Sequence, residues 1–268
     1  MKKTCLILID SQNDFCNPEG SLYVPGAKND IKNISNFIIK NEDKISNIIA
    51  TMDSHFPLNI TNPKFWYVGD DKNTHPLPFT IITKEEVLNG EYHTKYGYDA
   101  IPYLEHLEKE NKQLILWPSH CIINTIGWLL DTKLAFTLDR YCYNTGKNYT
   151  ILMKGMHPHT DQYSIFNPEM NIDDEYGEVS DDIKLIKDLS EKCDEIIFCG
   201  EAADVCCLNS IKYLVNSPLH WAEDILKKSI IFKDCMSAID PNFNIDTDPV
   251  YVSAVEKGAK IINSTDYM

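Results

Sequence analysis

Apolar and polar positions along the chain follow two alternating rhythms. Short, nearly unbroken apolar runs at residues 5–10 (CLILID), 48–53 (IIATMD), 114–117, 150–153, 195–199, 229–232 and 259–262 predict strands covered on both faces. Between them the spacing becomes helical: Ile31, Ile34, Phe37 and Ile38 share one face of a helix over residues 30–40. Similar patterns predict helices over 129–143, 181–192, 205–215, 219–227 and 249–257. Strands alternating with helices form βαβ units, so the chain is read as α/β with a parallel sheet. Residues 56–112 break the rhythm with Pro57, Pro63, Pro76, Pro78 and Pro102, and their length predicts an elaborated loop or subdomain rather than a plain connection. With no repeat, low-complexity tract or linker, residues 1–268 are expected to form one domain carrying that insertion.

An open parallel sheet binds ligands beyond the carboxyl ends of its strands, and the chemically versatile residues fall there. Asp10 ends the first strand, Asp53 ends the second, Lys154 follows the strand at 150–153, and Cys206 follows the strand at 195–199. Two acids, a cation and a thiol are thus expected on one rim.

Composition narrows the setting. Nine scattered cysteines make a poor disulfide framework, and no CxxC pair suggests a zinc ribbon. No apolar run approaches the roughly 20 residues that cross a bilayer, and the start of the chain lacks the pattern of a cleaved leader, so a soluble, cytoplasmic protein with no membrane partner is expected. A net charge of −15 argues against a nucleic-acid partner, because neutralising phosphates needs a basic face.

In Gly200-Glu-Ala-Ala-Asp-Val-Cys206 a strand runs through small residues into a helix. A thiol at a helix N-terminus feels the positive end of the dipole, which favours thiolate. The plainer reading is a buried filler, and Cys207 suits that reading. A nucleophilic thiol also needs a proton acceptor and a nearby cation, which Asp10 and Lys154 supply if the strand ends converge. Asp53-Ser-His55 puts a carboxylate and an imidazole on one side of an extended segment, and with His120 they could form a facial metal site. Chance occurrence of D-x-H is the competing explanation.

The segments Ile9-Asp-Ser-Gln-Asn-Asp-Phe15 with Gly20-Ser-Leu22, Asp53-Ser-His55, Trp117-Pro-Ser-His-Cys121, Lys154-Gly155 and Gly200-Glu-Ala-Ala-Asp-Val-Cys206 occur in the order seen in isochorismatase-like cysteine hydrolases. The Trp117 segment most resembles the nicotinamidase-related branch. That resemblance covers most of the chain and implies a three-layer α/β/α, Rossmann-like fold with a six-stranded parallel sheet. It implies a Cys206–Asp10–Lys154 triad and a divalent metal, zinc by analogy, on Asp53, His55 and His120. It also implies Phe15 and Trp117 beside a flat substrate ring. A cis peptide between Glu201 and Ala202 would turn the N–H groups of Ala202 and Cys206 toward one oxyanion. The activity implied is hydrolysis of nicotinamide to nicotinate and ammonia through a thioester, in an enzyme expected to be a homo-oligomer. The alternatives are another small amide, ureide or carbamoyl substrate for the same trio, or a non-catalytic member of the fold. Three departures from the family pattern stand out. Ile60 occupies the place of a further histidine ligand, unless His75 or His93 folds back to replace it. Glu201 stands where an apolar or amide residue is usual, and Ala203 replaces Thr or Ser.

Overall fold

Side chains of strand β1 (Thr4–Ile9) alternate between two apolar clusters. Leu6 and Leu8 enter one cluster, whereas Cys5, Ile7 and Ile9 enter the other, as the two-residue period of a strand requires. A strand buried on both faces needs a helical layer on each side, and the chain supplies both.

The structure is a computed structural model describing residues 2–268; Met1 lies outside the described residues. After β1 come α1 (Asn13–Cys16), α2 (Ala27–Asn41) and β2 (Ile45–Asp53). The 56–112 segment contributes β3 (Trp66–Val68), β4 (Ile81–Ile82), α3 (Lys84–Leu88), β5 (Tyr92–Thr94) and α4 (Ile101–Lys109). Then follow β6 (Leu114–Ile115), α5 (Thr132–Thr145), β7 (Thr150–Lys154) and a hairpin of β8 (Ile172–Asp174) and β9 (Gly177–Val179). The last part is α6 (Ile183–Lys192), β10 (Glu195–Gly200), α7 (Cys206–Asn216), α8 (His220–Lys228), β11 (Ser229–Phe232), α9 (Pro249–Glu256) and β12 (Lys260–Ile262).

Six strands pair in the order β12-β11-β10-β1-β2-β7, all parallel. Residues of α2 and α5, such as Ile31, Ile34, Leu134 and Leu138, cover one face. Those of α6 to α9, such as Ile186, Ile211, Ile225 and Ala254, cover the other. The expected three-layer α/β/α fold with a six-stranded parallel sheet is what forms. The order reverses between β1 and β10, and a doubly wound sheet opens its ligand crevice at that switch.

One expected strand is placed differently. Residues 114–117 do not join the main sheet; β6 pairs antiparallel with β4 inside the inserted region. Its apolar residues Leu114 and Leu116 serve a separate cluster with Ile60, Phe65, Trp66, Tyr103 and Leu104. The proline-rich 56–112 segment therefore packs a hydrophobic cluster that Leu114 and Leu116 complete. The β8–β9 hairpin went unforeseen, because its sequence is short, acidic and without apolar alternation.

Candidate active site

Asp10 follows β1 in the left-handed backbone region, φ 43°, which aspartate tolerates better than most residues. Its amide donates to Thr51 Oγ1 at 3.0 Å and its Oδ1 accepts from that hydroxyl at 2.7 Å, so β2 fixes the carboxylate. Across the switch β10 ends at Gly200 with φ 120°, where a Cβ would lie 2.0 Å from Ile9 O. Only glycine lets the two strand ends approach this closely. The 201–205 loop then delivers Cys206 as the first residue of α7.

Lys154 closes the group. Its Nζ lies 2.9 Å from Asp10 Oδ2, 3.3 Å from Asp53 Oδ1 and 3.6 Å from Cys206 Sγ, and it donates to Gln162 O at 2.8 Å. Asp10, Lys154 and Cys206 are only 0, 2 and 6 % exposed. The structure thus gathers acid, cation and thiol from three separate strand ends.

Burial sets their charge states. It opposes the Lys154 ammonium, but Asp10, Asp53 and Cys206 outweigh it and hold the lysine charged well above its usual range. Burial raises Asp10, partly offset by Lys154, which makes it a better proton acceptor than an exposed carboxylate. Cys206 differs from the sequence expectation. Burial pushes its thiol well above the usual value, Lys154 pulls it down, and Asp10 and Asp53 push it up again. Burial and the two carboxylates thus favour the thiol over the thiolate, against Lys154 and the helix N-terminus.

In the 201–205 loop the Glu201–Ala202 peptide is cis. The Val205 and Cys207 N–H groups both donate to Ala202 O, at 3.1 and 3.0 Å, and Ala203 N–H donates to Ser237 O at 2.7 Å. Among the described residues the Ala202 and Cys206 N–H groups have no backbone acceptor, so both are free to receive an oxyanion.

Asp53, His55 and His120 present ligand atoms within 4.8 Å of one another, all buried. His55 Nδ1 lies 3.0 Å from Gly155 O and His120 Nδ1 lies 2.7 Å from Pro118 O, so each Nδ1 carries a hydrogen and donates it. A ring carrying only that hydrogen turns an Nε2 lone pair toward Asp53 Oδ2, which lies 3.0 Å from His55 Nε2 and 3.1 Å from His120 Nε2. Acceptors facing an anion demand a cation between them, and the donor set fits a divalent metal. Otherwise a proton takes that place: burial opposes a charged His55, yet Asp53 lifts it to about 9. Asp53 is itself held well below the carboxylate range, burial notwithstanding, by His55 and Lys154. Gly155 makes room, since with φ 76° a Cβ would fall 2.9 Å from Asp53 Oδ1 and 3.0 Å from His55 Cε1. Neither His75 nor His93 substitutes at Ile60. His75 Nδ1 contacts Trp66 O at 2.6 Å and His93 stacks on Tyr67, while Ile60 is fully buried in the cluster of the inserted region.

Phe15 and Trp117 line the cavity above Cys206 together with Asp53, His55 and His120. The free volume open to the centre of a water molecule is only about 20 Å³, so the slot is nearly closed. The sequence reading missed Tyr163, whose hydroxyl accepts from Trp117 Nε1 at 2.9 Å, and Asp161, whose buried Oδ2 has no hydrogen-bond partner. It also missed Gln12, which brackets Asp53 by accepting from its N–H and donating to its C=O, both at 2.8 Å. Gln12 lies within the first motif; Asp161 and Tyr163 carry no signal beyond following Lys154.

No protein-family model matches the chain. The chain is 28 % identical over 166 residues to the nicotinamidase of Saccharomyces cerevisiae, an alignment spanning 62 % of this chain and 63 % of that protein. Solved structures match over nearly the whole length. An Acinetobacter baumanii nicotinamidase–pyrazinamidase is 22 % identical with a TM-score of 0.64, covering 100 % of this chain and 99 % of that one. The yeast nicotinamidase bound to the inhibitor nicotinaldehyde is 20 % identical with a TM-score of 0.65, covering 97 % and 99 %. The Pyrococcus horikoshii pyrazinamidase in complex with zinc is 19 % identical with a TM-score of 0.56, covering 97 % and 99 %. The chain therefore has the isochorismatase-like α/β fold of the nicotinamidases and pyrazinamidases.

Proposed function

We propose that the protein is a nicotinamidase, hydrolysing nicotinamide to nicotinate and ammonia. The observation that carries the reading is Lys154 Nζ in contact with both Asp10 and Cys206, where Cys206 lines a slot walled by Phe15 and Trp117. In this mechanism the carboxamide enters with its ring between Phe15 and Trp117. The Cys206 thiol passes its proton to Asp10 as sulfur attacks the carboxamide carbon, and the carbonyl π electrons move onto oxygen. The Ala202 and Cys206 N–H groups hold that oxyanion. Collapse re-forms the carbonyl and expels ammonia, which leaves with the proton from Asp10. Asp10 then takes a proton from water as it attacks the thioester, and returns that proton to the departing Cys206 sulfur. A divalent metal, zinc in this reading, would be held by Asp53, His55 and His120 and would supply an electrophilic contact for a ring nitrogen or a water.

The same reading takes the enzyme to be cytoplasmic, which its nine free thiols suit. It also takes the enzyme to be a homo-oligomer. The exposed side chains of Ile151 and Met153 on the edge strand β7 support that. Ammonia release from nicotinamide, measured against a panel of small amides, ureides and carbamoyl compounds, tests the reaction. A preference for another member of the panel would replace nicotinamide, and no release from any would refute hydrolysis.

A further inference from the structure

Glu201, the odd residue of the oxyanion loop, is fully buried, and so is Asp30 of α2 at 5 % exposure. The two carboxyl groups lie within hydrogen-bonding reach of each other. Glu201 Oε2 accepts from Ser237 N–H at 3.3 Å, but Glu201 Oε1 and Asp30 Oδ2 have no donor. Among the described residues no Lys, Arg or His hydrogen-bonds to either carboxyl group, although Lys28 of α2 acts on the neighbouring Cys16. Asp204 acts on Glu201 from its own loop, Asp234 acts on Asp30, and the thiols of Cys16, Cys199 and Cys207 lie around the pair. Two ionised carboxylates in such a place would face each other with little water between them, so one proton stays between them.

The loop that Glu201 begins is otherwise tied to β1 through Glu201 N–H and Ile9 O at 2.8 Å, to α9 through the Tyr251 hydroxyl donating to Ala203 O at 2.8 Å, and to the 237–240 segment. Ala203 N–H donates to Ser237 O, while Ile239 and Asp240 donate to the Asp204 carboxylate at 3.0 and 2.8 Å. Glu201 adds a strap to a different element, the helix α2.

We propose that Glu201 is a positioning residue for the oxyanion site, an un-ionised acid that donates its proton to Asp30 and so ties the 201–205 loop to α2. The role as a positioning group rests on the amide hydrolysis proposed above; the shared proton does not. Burial and the neighbouring Asp30 hold Glu201 well above its usual 4.5, and burial lifts Asp30 to about 6 despite the Ser237 hydroxyl and Glu201 beside it. Both folded values exceed the unfolded ones. The folded chain therefore binds more protons than the unfolded chain above the unfolded carboxyl range, and stability falls as pH rises. Each extra proton bound changes the folding equilibrium by about tenfold per pH unit.

The experiment compares wild type, E201Q, D30N and E201A. Melting is followed from pH 5 to pH 9, and kcat and KM are measured at pH 7. The amide that E201Q introduces can donate to Asp30 at any pH, and the amide that D30N introduces can donate to Glu201. Both variants should therefore gain on the wild type steadily as pH rises. Parallel melting curves for wild type and E201Q would overturn the shared proton, and a flattened curve for E201Q without one for D30N would overturn Asp30 as the partner. E201A should lower kcat by about tenfold or more with KM little changed, and E201Q should restore it. Equal losses in E201A and E201Q, or none in E201A, would overturn the positioning role. If the wild type releases no ammonia from nicotinamide, the hydrolysis reading and the positioning role fall together. The melting curves would still decide the proton.

Discussion

Replacing Gly155 with alanine is the cleanest way to strain the Asp53–His55–His120 cluster without removing a proposed metal ligand. The backbone there has φ 76°, and the added Cβ would meet Asp53 Oδ1 at 2.9 Å, His55 Cε1 at 3.0 Å and His55 Nδ1 at 3.4 Å. Neither neighbour can give way freely. Asp53 is held by Lys154 at 3.3 Å and His55 Nδ1 is tied to the carbonyl of Gly155 itself at 3.0 Å. A left-handed conformation costs an L-residue about 1–2 kcal/mol. Displacing groups that orient metal ligands typically weakens a metal by about 10–100-fold. Gly146 separates the two effects, because its φ of 70° is similar but a Cβ there meets nothing within 4 Å. Gly146→Ala should lose only the backbone portion, seen as a lower urea midpoint with zinc affinity unchanged. Gly155→Ala should lose at least as much stability and also bind zinc about 10–100-fold more weakly, measured by competition with a chromophoric chelator. Wild-type zinc affinity in Gly155→Ala, with stability matching Gly146→Ala, would refute the argument that this glycine exists to make room for the metal centre.

Three further outcomes follow from the same geometry. Cys206→Ala should cut ammonia release by about a thousandfold or more while melting changes little, and retained activity would remove Cys206 as the nucleophile. Because burial pushes the Cys206 thiol well above its usual 9.0, iodoacetamide labelling of that residue, followed by peptide mass spectrometry, should rise about tenfold per pH unit without a plateau below pH 9. A plateau near neutrality would show a resting thiolate. Asp161 offers a buried acceptor without a donor at the cavity wall, so Asp161→Asn should raise KM for the amide by about tenfold with a smaller effect on kcat. An unchanged KM would show that Asp161 does not meet the substrate.

The sheet was readable because its strands carry nearly unbroken apolar runs, and six of the seven such runs became its strands, although the edge strands β7 and β12 are not buried on both faces. The seventh, at 114–117, has the same composition but belongs to β6, because apolar runs report burial and not the sheet that buries them. The inserted region was opaque for a related reason. Its prolines break periodicity, yet Ile60, Phe65, Trp66 and Tyr103 collapse onto one another all the same. Asp10, Asp53 and Lys154 were legible because a strand pattern fixes where the strand stops. Asp161 and Tyr163 sit in a loop whose path no periodicity constrains. Glu201 was visible as an oddity, but its partner Asp30 lies on a distant helix with nothing local to mark it.

Charge state is where sequence and structure part most sharply, and the difference has a physical source. A helix N-terminus contributes about half a positive charge, felt within its first turn. At Cys206 that must compete with burial and with two carboxylates, Asp10 and Asp53, against one ammonium, Lys154. Asp53 has His55 as a partner besides Lys154. That leaves Lys154 facing Asp10 and Cys206. A thiolate added beside an ionised Asp10 would put two negative charges on one cation in a nearly closed slot. A proton moved from Cys206 to Asp10 leaves the total at one. Lys154 balances a single negative charge before and after that transfer, so the lysine favours exchange between acid and thiol over ionisation of both. In the proposed hydrolysis the raised affinity of Asp10 for a proton is then part of what would make a buried, protonated cysteine usable as a nucleophile.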